Sequence, residues 1–177
     1  RDLLPNTAIL SVNAPWECEI GQGYQWFSLR TMNLFAILKE IKEAHSLLDD
    51  FIDKQLKRFS LENKNLMMVG FSQGAIMSLF TGLRRSKEIM GIMSFSGMLA
   101  DNIETLRKEL KSKPKTLLIH GNLDAVVPFD SMEKAEKILR VFDIPYESHA
   151  INGMDHNIDD GALYFGREFI KDVFNNN

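Results

Sequence analysis

Three elements follow one another in the stretch Asn65-Leu66-Met67-Met68-Val69-Gly70-Phe71-Ser72-Gln73-Gly74-Ala75-Ile76-Met77-Ser78-Leu79-Phe80. The stretch begins as an apolar run without alternation, which predicts a strand buried on both faces of a parallel sheet. It passes through a Gly-x-Ser-x-Gly turn and then becomes rich in Ala, Met and Leu, which predicts a buried helix. A strand, a sharp turn and a helix are together the setting in which a nucleophilic serine is displayed.

The turn itself makes Ser72 a candidate nucleophile. A serine on such a turn is forced into an unfavourable backbone geometry, so its hydroxyl stands clear at the tip of the strand. Glycine is expected at Gly70 and Gly74 because helix and strand would approach too closely for a Cβ atom. The helix N-terminus offers free N–H groups where an oxyanion could form. The alternative is a glycine-rich turn between a core strand and a core helix.

Composition limits the class of protein. The 177 residues include 45% hydrophobic and 25% charged side chains, which predicts one domain over residues 1–177 with a substantial core. The net charge of -3 without a basic block argues against nucleic acid or an anionic membrane as partner. The lone Cys18 cannot form an internal disulfide, so we expect a cytoplasmic protein. No apolar run is long enough to span a membrane, no signal peptide is visible, and a homodimer stays open.

Strands and helices alternate along the chain, which predicts a parallel sheet covered on both faces. Besides the central strand and helix, strands are predicted at residues 7–12, 89–97, 115–120 and 146–150, and helices at 33–59, 103–110, 130–142 and from 159 or 160 onward. Asp130 and Glu133 read as a capping box. Residues 84–88 are expected to be a basic, solvated connection. His45 is expected to be a packed helix histidine.

An aromatic segment over residues 17–29 has no clear period and is predicted to be a loop. Two interpretations stay open for it. Trp26 and Phe27 could line a pocket, because functional sites often lie on loops. Alternatively, the rings pin the loop to the surface of the domain.

A serine hydroxyl needs a base within hydrogen-bond reach, and the base needs an acceptor that fixes its tautomer. Asp124 follows the strand at 115–120, and His156 lies between the last strand and the last helix. The order Ser, Asp, His, each at a strand end, is that of α/β-hydrolases. Taken alone, Asp124 could equally cap a turn before Val126. His120 ends a strand and could orient the Asp124 loop by hydrogen bonding.

Three motifs carry a family resemblance: Gly70-Phe71-Ser72-Gln73-Gly74, His120-Gly121-Asn122-Leu123-Asp124-Ala125-Val126-Val127-Pro128 and Gly153-Met154-Asp155-His156. They resemble the phospholipase/carboxylesterase family of α/β-hydrolases, which includes acyl-protein thioesterases. The resemblance implies a mostly parallel sheet with helices on both faces. It also implies hydrolysis of carboxylic esters or thioesters, often with acyl chains, without metal or cofactor. Ser72 would be the nucleophile, His156 the base, Asp124 its carboxylate, and the Gln73 N–H an oxyanion donor.

The chain departs from the family pattern in two places. Asn122 stands where the family usually has Asp. The family also has an earlier strand and a His-Gly-x-Gly-like loop that supplies a second oxyanion donor, so we expect the domain to be N-terminally incomplete in this sequence. With Trp26 and Phe27 as the acyl-side wall, the sequence predicts a serine esterase or thioesterase. The alternatives are a related lipase or protease, and a non-catalytic binding protein on a hydrolase scaffold.

Overall fold

In a computed structural model of the protein, the described residues are Leu4, 6–30 and 34–175, apart from the side chains of residues 34 and 35. Strands and helices alternate from the second helix onward. The strands are β1 (Trp16–Glu17), β2 (Tyr24–Gln25), β3 (Met67–Phe71), β4 (Gly91–Phe95), β5 (Lys115–Gly121) and β6 (Tyr146–Ile151). The helices are α1 (Leu34–Phe59), α2 (Gln73–Gly82), α3 (Ile103–Glu109), α4 (Asp130–Val141) and α5 (Asp160–Asn175).

The central sheet has four parallel strands in the order β3-β4-β5-β6. Side chains alternate between its two faces, and each face packs on helices. One cluster joins Met68, Ile92 and Leu118 to α1, α2 and α4, while the other joins Leu117 and its neighbours to α5. The predicted α/β architecture is therefore confirmed. Because all four strands run the same way, their carboxyl ends form one edge of the sheet.

The prediction that β3 is buried on both faces is wrong. Val69 is 56% exposed and Phe71 is also exposed, whereas every residue of β4 is buried. The reason is topological, because within the described residues β3 pairs with β4 alone and lies at the edge of the sheet. The helix that follows does meet its prediction, since all residues from Ala75 to Gly82 are buried.

Two predictions for the N-terminal part are also wrong. Residues 7–12 form no strand, and Ile9 and Leu10 are exposed. A β-favouring run becomes a strand only beside a partner, and no described strand pairs with this one. The segment 17–29 is not simply a loop, since β1 and β2 pair as an antiparallel hairpin.

The long first helix follows its predicted spacing and begins at Leu34; its expected start at Asn33 lies outside the described residues. His45 is packed as expected, with Nδ1 at 3.1 Å from Thr81 Oγ1 on α2. The prediction of a capping box at the start of α4 is wrong. Phe129 occupies the N-cap position, and Asp130 pairs with Lys134 instead.

The prediction of a solvated connection at residues 84–88 holds for residues 86–88, which are exposed, but is wrong for the two arginines that begin it. Arg84 and Arg85 are 7% and 1% exposed. Arg84 pairs with Asp101 and Glu109, and Arg85 pairs with Asp49 and Asp53. Buried guanidinium groups require such partners, and these carboxylates come from α1 and from around α3, distant in sequence. Over the part of the chain that the structure describes, no helix combines the length and apolarity needed to cross a bilayer.

Candidate active site

Ser72 stands on a strained turn between β3 and α2. Its backbone has φ of 52° and ψ of −119°. A residue with a side chain adopts this conformation at a cost of about 1–3 kcal/mol. Backbone hydrogen bonds hold the turn, from Ser72 N–H to Phe95 O (3.0 Å) and from Ile76 N–H to Ser72 O (3.1 Å). A Cβ at Gly70 would overlap the backbone of Gly74, as expected. The same expectation for Gly74 is wrong, since a Cβ there would meet no atom within 4 Å.

The structure brings Ser72, His156 and Asp124 into one hydrogen-bonded chain. Ser72 Oγ lies 2.9 Å from His156 Nε2, and His156 Nδ1 lies 2.8 Å from Asp124 Oδ2. An ionised carboxylate only accepts, so Nδ1 carries the imidazole proton and Nε2 is left to accept from the serine hydroxyl. The ring of Phe71 packs against the imidazole of His156, with 4.8 Å between the ring centroids. The arrangement can therefore take a proton from Ser72 as its oxygen attacks an electrophile.

The Asp124 side chain is fully buried and accepts three hydrogen bonds. Oδ1 accepts from the N–H groups of Val126 and Val127, both at 2.9 Å, while Oδ2 faces His156. Burial would raise the pKa of Asp124, but the hydrogen bonds from His156, Val127 and Val126 outweigh it and hold the pKa below 3.8. Asp124 thus caps a turn and binds the imidazole at once.

The lowered pKa of Asp124 predicts how stability changes in acid. Because the folded value lies below the unfolded one, the carboxylate stabilises the fold above about pH 4, and this contribution is lost as the pH falls through the folded value. The Asp124→Asn variant lacks the charge at every pH. Urea unfolding between pH 5 and pH 3 should therefore show the stability gap between wild type and variant shrinking. A gap that stays constant or widens would contradict this electrostatic role.

Hydrogen bonds join the loop that carries Asp124 to the loop that carries His156. The sequence analysis did not predict these contacts. Asn122 uses both ends of its amide: Nδ2 donates to Asn152 Oδ1 (2.9 Å), and Oδ1 accepts from Gly153 N–H (2.8 Å). Leu123 N–H also donates to Met154 O at 3.0 Å. Asn122 can donate to Asn152 through its Nδ2–H, whereas an aspartate at this position could only accept. Only the departure of Asn122 from the family pattern signalled it.

Gly121 sets how closely the two loops approach. A Cβ at this position would overlap the carbonyl oxygens of Met154 and Asp155, which immediately precede His156. We therefore expect Gly121→Ala to push the His156 loop outward and to slow by about 10²-fold any reaction that needs His156 beside Ser72, the loss that misplacement by 1 Å can cause. The measurement is the rate at which a fluorophosphonate probe labels Ser72. Gly153→Ala is a control for the same loop, since its Cβ would meet no atom, although its φ of 82° adds strain. An unchanged labelling rate in Gly121→Ala would contradict the prediction.

Gln73 links the nucleophile turn to the aromatic segment. Its side-chain Oε1 accepts from the backbone N–H of Trp26, and its Nε2 donates to the backbone carbonyl of Phe27, both at 2.9 Å. Trp26 is half-buried and lines a groove along the open edge of β3. Phe27 is only 4% exposed and packs in the main core. The segment carrying both rings is therefore fixed against the residue that follows Ser72.

Among the residues that the structure describes, no three His, Cys, Asp or Glu side chains gather as metal ligands would. The site is instead a serine, an imidazole and a carboxylate beside a helix N-terminus. Such a set carries out acyl transfer.

Comparison with known sequences gives a consistent result. A sequence profile described as phospholipase/carboxylesterase matches residues 4–174. The chain is 27% identical over 168 residues to a probable carboxylesterase SOBER1-like of Arabidopsis thaliana, covering 89% of this chain and 62% of that protein. It is 28% identical over 170 residues to acyl-protein thioesterase 1 of Mycosarcoma maydis, covering 89% and 71%. The chain thus spans less than two thirds of the length of the first of these relatives.

Solved structures show the same architecture. The chain superposes on the crystal structure of esterase PE8 with a TM-score of 0.87 and 36% identity, covering 91% of this chain and 76% of that one. It superposes on the Bacillus cereus carboxylesterase with a TM-score of 0.78 and 16% identity, covering 97% and 79%. The second likeness concerns the fold alone.

Proposed function

Because the chain belongs to the phospholipase/carboxylesterase family, we propose that it is a serine hydrolase that cleaves carboxylic esters or thioesters. The observation that carries the proposal is the hydrogen-bonded chain from Ser72 Oγ through His156 to Asp124, with links of 2.9 and 2.8 Å. Nucleophile, base and orienting carboxylate come from three separate strand ends. A structural turn would need none of these contacts across 84 residues of sequence.

The reaction follows from the proton positions. Ser72 Oγ attacks the acyl carbonyl while its proton passes to His156 Nε2, and the buried carboxylate of Asp124 stabilises the imidazolium. His156 then gives that proton to the departing alcohol or thiol, leaving an acyl-enzyme. Water, deprotonated by His156, attacks the acyl-enzyme, and Ser72 regains its proton as the acid leaves. Each bond that breaks is an acyl–oxygen or acyl–sulfur bond, and no metal or cofactor takes part.

The negative charge that develops on the carbonyl oxygen needs fixed donors. We assign one donor to the backbone N–H of Gln73, the first residue of α2. N–H groups in a first helical turn have no partner within the helix, and the helix dipole adds a partial positive charge. The Gln73 side chain is bound to Trp26 and Phe27, which keeps this N–H in a fixed direction.

The acyl-side wall is assigned to the segment carrying Trp26, with Phe27 supporting it from the core. The contact with Gln73 places this segment next to the nucleophile turn. The two relatives named above, a carboxylesterase and an acyl-protein thioesterase, support both an ester and a thioester as substrate. The lone Cys18, unable to form an internal disulfide, supports a reducing compartment such as the cytoplasm.

The proposed function is tested by a substrate panel. Two matched series, p-nitrophenyl esters and acyl thioesters with acyl chains from acetyl to palmitoyl, are incubated with the protein, with and without EDTA. We expect turnover in both series, a maximum at one chain length, and no effect of EDTA. Absence of turnover across both series, or its loss on chelation, would contradict the proposal.

A further inference from the structure

His120 is a buried imidazole outside the hydrogen-bonded chain of Ser72, His156 and Asp124. It is the penultimate residue of β5, just before Gly121, and is only 1% exposed. Its Nε2 lies 2.8 Å from Val127 O and 3.3 Å from Asp124 Oδ2. The ring of Phe129 stands edge-on to it, with 6.0 Å between centroids. The same ring nitrogen therefore faces both Asp124, in the middle of the loop that follows β5, and Val127, at the end of that loop.

The protonation of this nitrogen follows from its first partner. A carbonyl oxygen only accepts, so His120 Nε2 carries a hydrogen and donates it to Val127 O. Val127 is then bound from both sides, because its N–H donates to Asp124 Oδ1. The same nitrogen lies 3.3 Å from Asp124 Oδ2, the oxygen that binds His156, so the ring also packs against the carboxylate that it helps to position.

We propose that His120 is a positioning residue that closes the loop from Gly121 to Val127 and so keeps Asp124 Oδ2 directed at His156. The inference rests on the proposed function for its effect on rate, but its effect on the geometry can be measured separately. His120 and Val127 are both buried, so solvent water does not replace a lost donor to Val127 O. Losing the His120 donor should therefore loosen the carboxylate that fixes the His156 tautomer.

Three substitutions of His120 distinguish a role as hydrogen-bond donor from a role as a packed aromatic ring. His120→Phe keeps an aromatic ring and loses the donor. His120→Gln loses the ring, but its amide nitrogen can lie near the Nε2 position, whereas the shorter amide of His120→Asn cannot reach it. His149→Phe is the control for an unrelated histidine, because it preserves the stacking of residue 149 on Phe165.

The experiment measures kcat and KM on a p-nitrophenyl ester, together with the downfield ¹H NMR signal of the His156 Nδ1–H. We expect His120→Phe and His120→Asn to lower kcat by about 10–100-fold, up to the loss that a 1 Å misplacement of reacting groups can cause. KM should stay unchanged, and the Nδ1–H signal should weaken or move upfield. His120→Gln should restore most of the kcat and the signal, and His149→Phe should change neither.

Wild-type kcat and an unchanged signal in His120→Phe would overturn the inference, as would equal losses in the Gln and Asn variants. If His120→Phe does not fold, the comparison of Gln with Asn decides. If the wild type turns over neither esters nor thioesters, the proposed function fails, and the NMR signal alone still tests the positioning of Asp124.

Discussion

Replacing Ser72 with alanine is expected to abolish hydrolysis, lowering kcat by roughly 10⁴–10⁶-fold, the range seen when a serine nucleophile is removed. The reason is that, among the described residues, Ser72 alone provides a hydroxyl in hydrogen-bond contact with His156 Nε2, at 2.9 Å. Without Ser72 Oγ no acyl-enzyme forms, and only binding and oxyanion stabilisation remain. The measurement is turnover of the best substrate in the panel, with thermal unfolding recorded on the same samples.

Ser96 provides a matched control for Ser72. It also lies at the carboxyl edge of the sheet, after β4, and has a positive φ of 46°. Its buried Oγ has no hydrogen-bond partner among the described residues. Ser96→Ala should therefore keep full activity. Equal losses in the two variants would contradict a specific role for the Ser72 hydroxyl, because both alanines keep the Cβ and the backbone conformation of their turns.

Replacing Asp124 with asparagine is expected to lower kcat by roughly 10³–10⁴-fold, as the loss of an orienting carboxylate does elsewhere. An amide that donates to His156 Nδ1 forces the imidazole proton onto Nε2, which then cannot accept from Ser72. The asparagine oxygen can still accept from the N–H groups of Val126 and Val127, so the turn is preserved. The kcat is measured at neutral pH, where wild-type Asp124 is ionised.

The exposed neighbour of His156 serves as control for Asp124. Asp155 lies next to the imidazole in sequence, but its side chain is exposed and no described hydrogen bond or ion pair joins it to His156. Asp155→Asn should leave kcat unchanged. If Asp124→Asn keeps the wild-type rate, the carboxylate only caps a turn and the account of the imidazole is wrong.

Much of the fold could be predicted because its elements have strong local patterns. The apolar runs of β4 and β5 and the helical spacing of α1 and α5 identify them without tertiary information. The hairpin of β1 and β2 could not be recognised, since strands of two residues have no periodicity. Residues 7–12 show the converse, a β-favouring run whose backbone has no described partner strand.

The candidate site could be predicted in outline because its three side chains follow parallel strands, whose carboxyl ends meet at one edge. The contacts that hold these side chains in place could not be predicted. The side-chain amides of Asn122 and Gln73 bind residues that are 30 and 47 positions away in the sequence. No local sequence pattern indicates such pairs. The burial of Arg84 was missed for the same reason, because Asp101 and Glu109 become its neighbours only in the folded chain.

Covalent labelling with a fluorophosphonate probe tests the central claim most directly, since the probe phosphonylates only an activated serine hydroxyl. The protein is labelled, digested and mapped by mass spectrometry, with a heat-unfolded sample as control. The account predicts one adduct per chain, on the peptide that contains Ser72, in the folded sample and none in the unfolded one. An adduct on another serine, or a folded protein that takes up no probe, would contradict it.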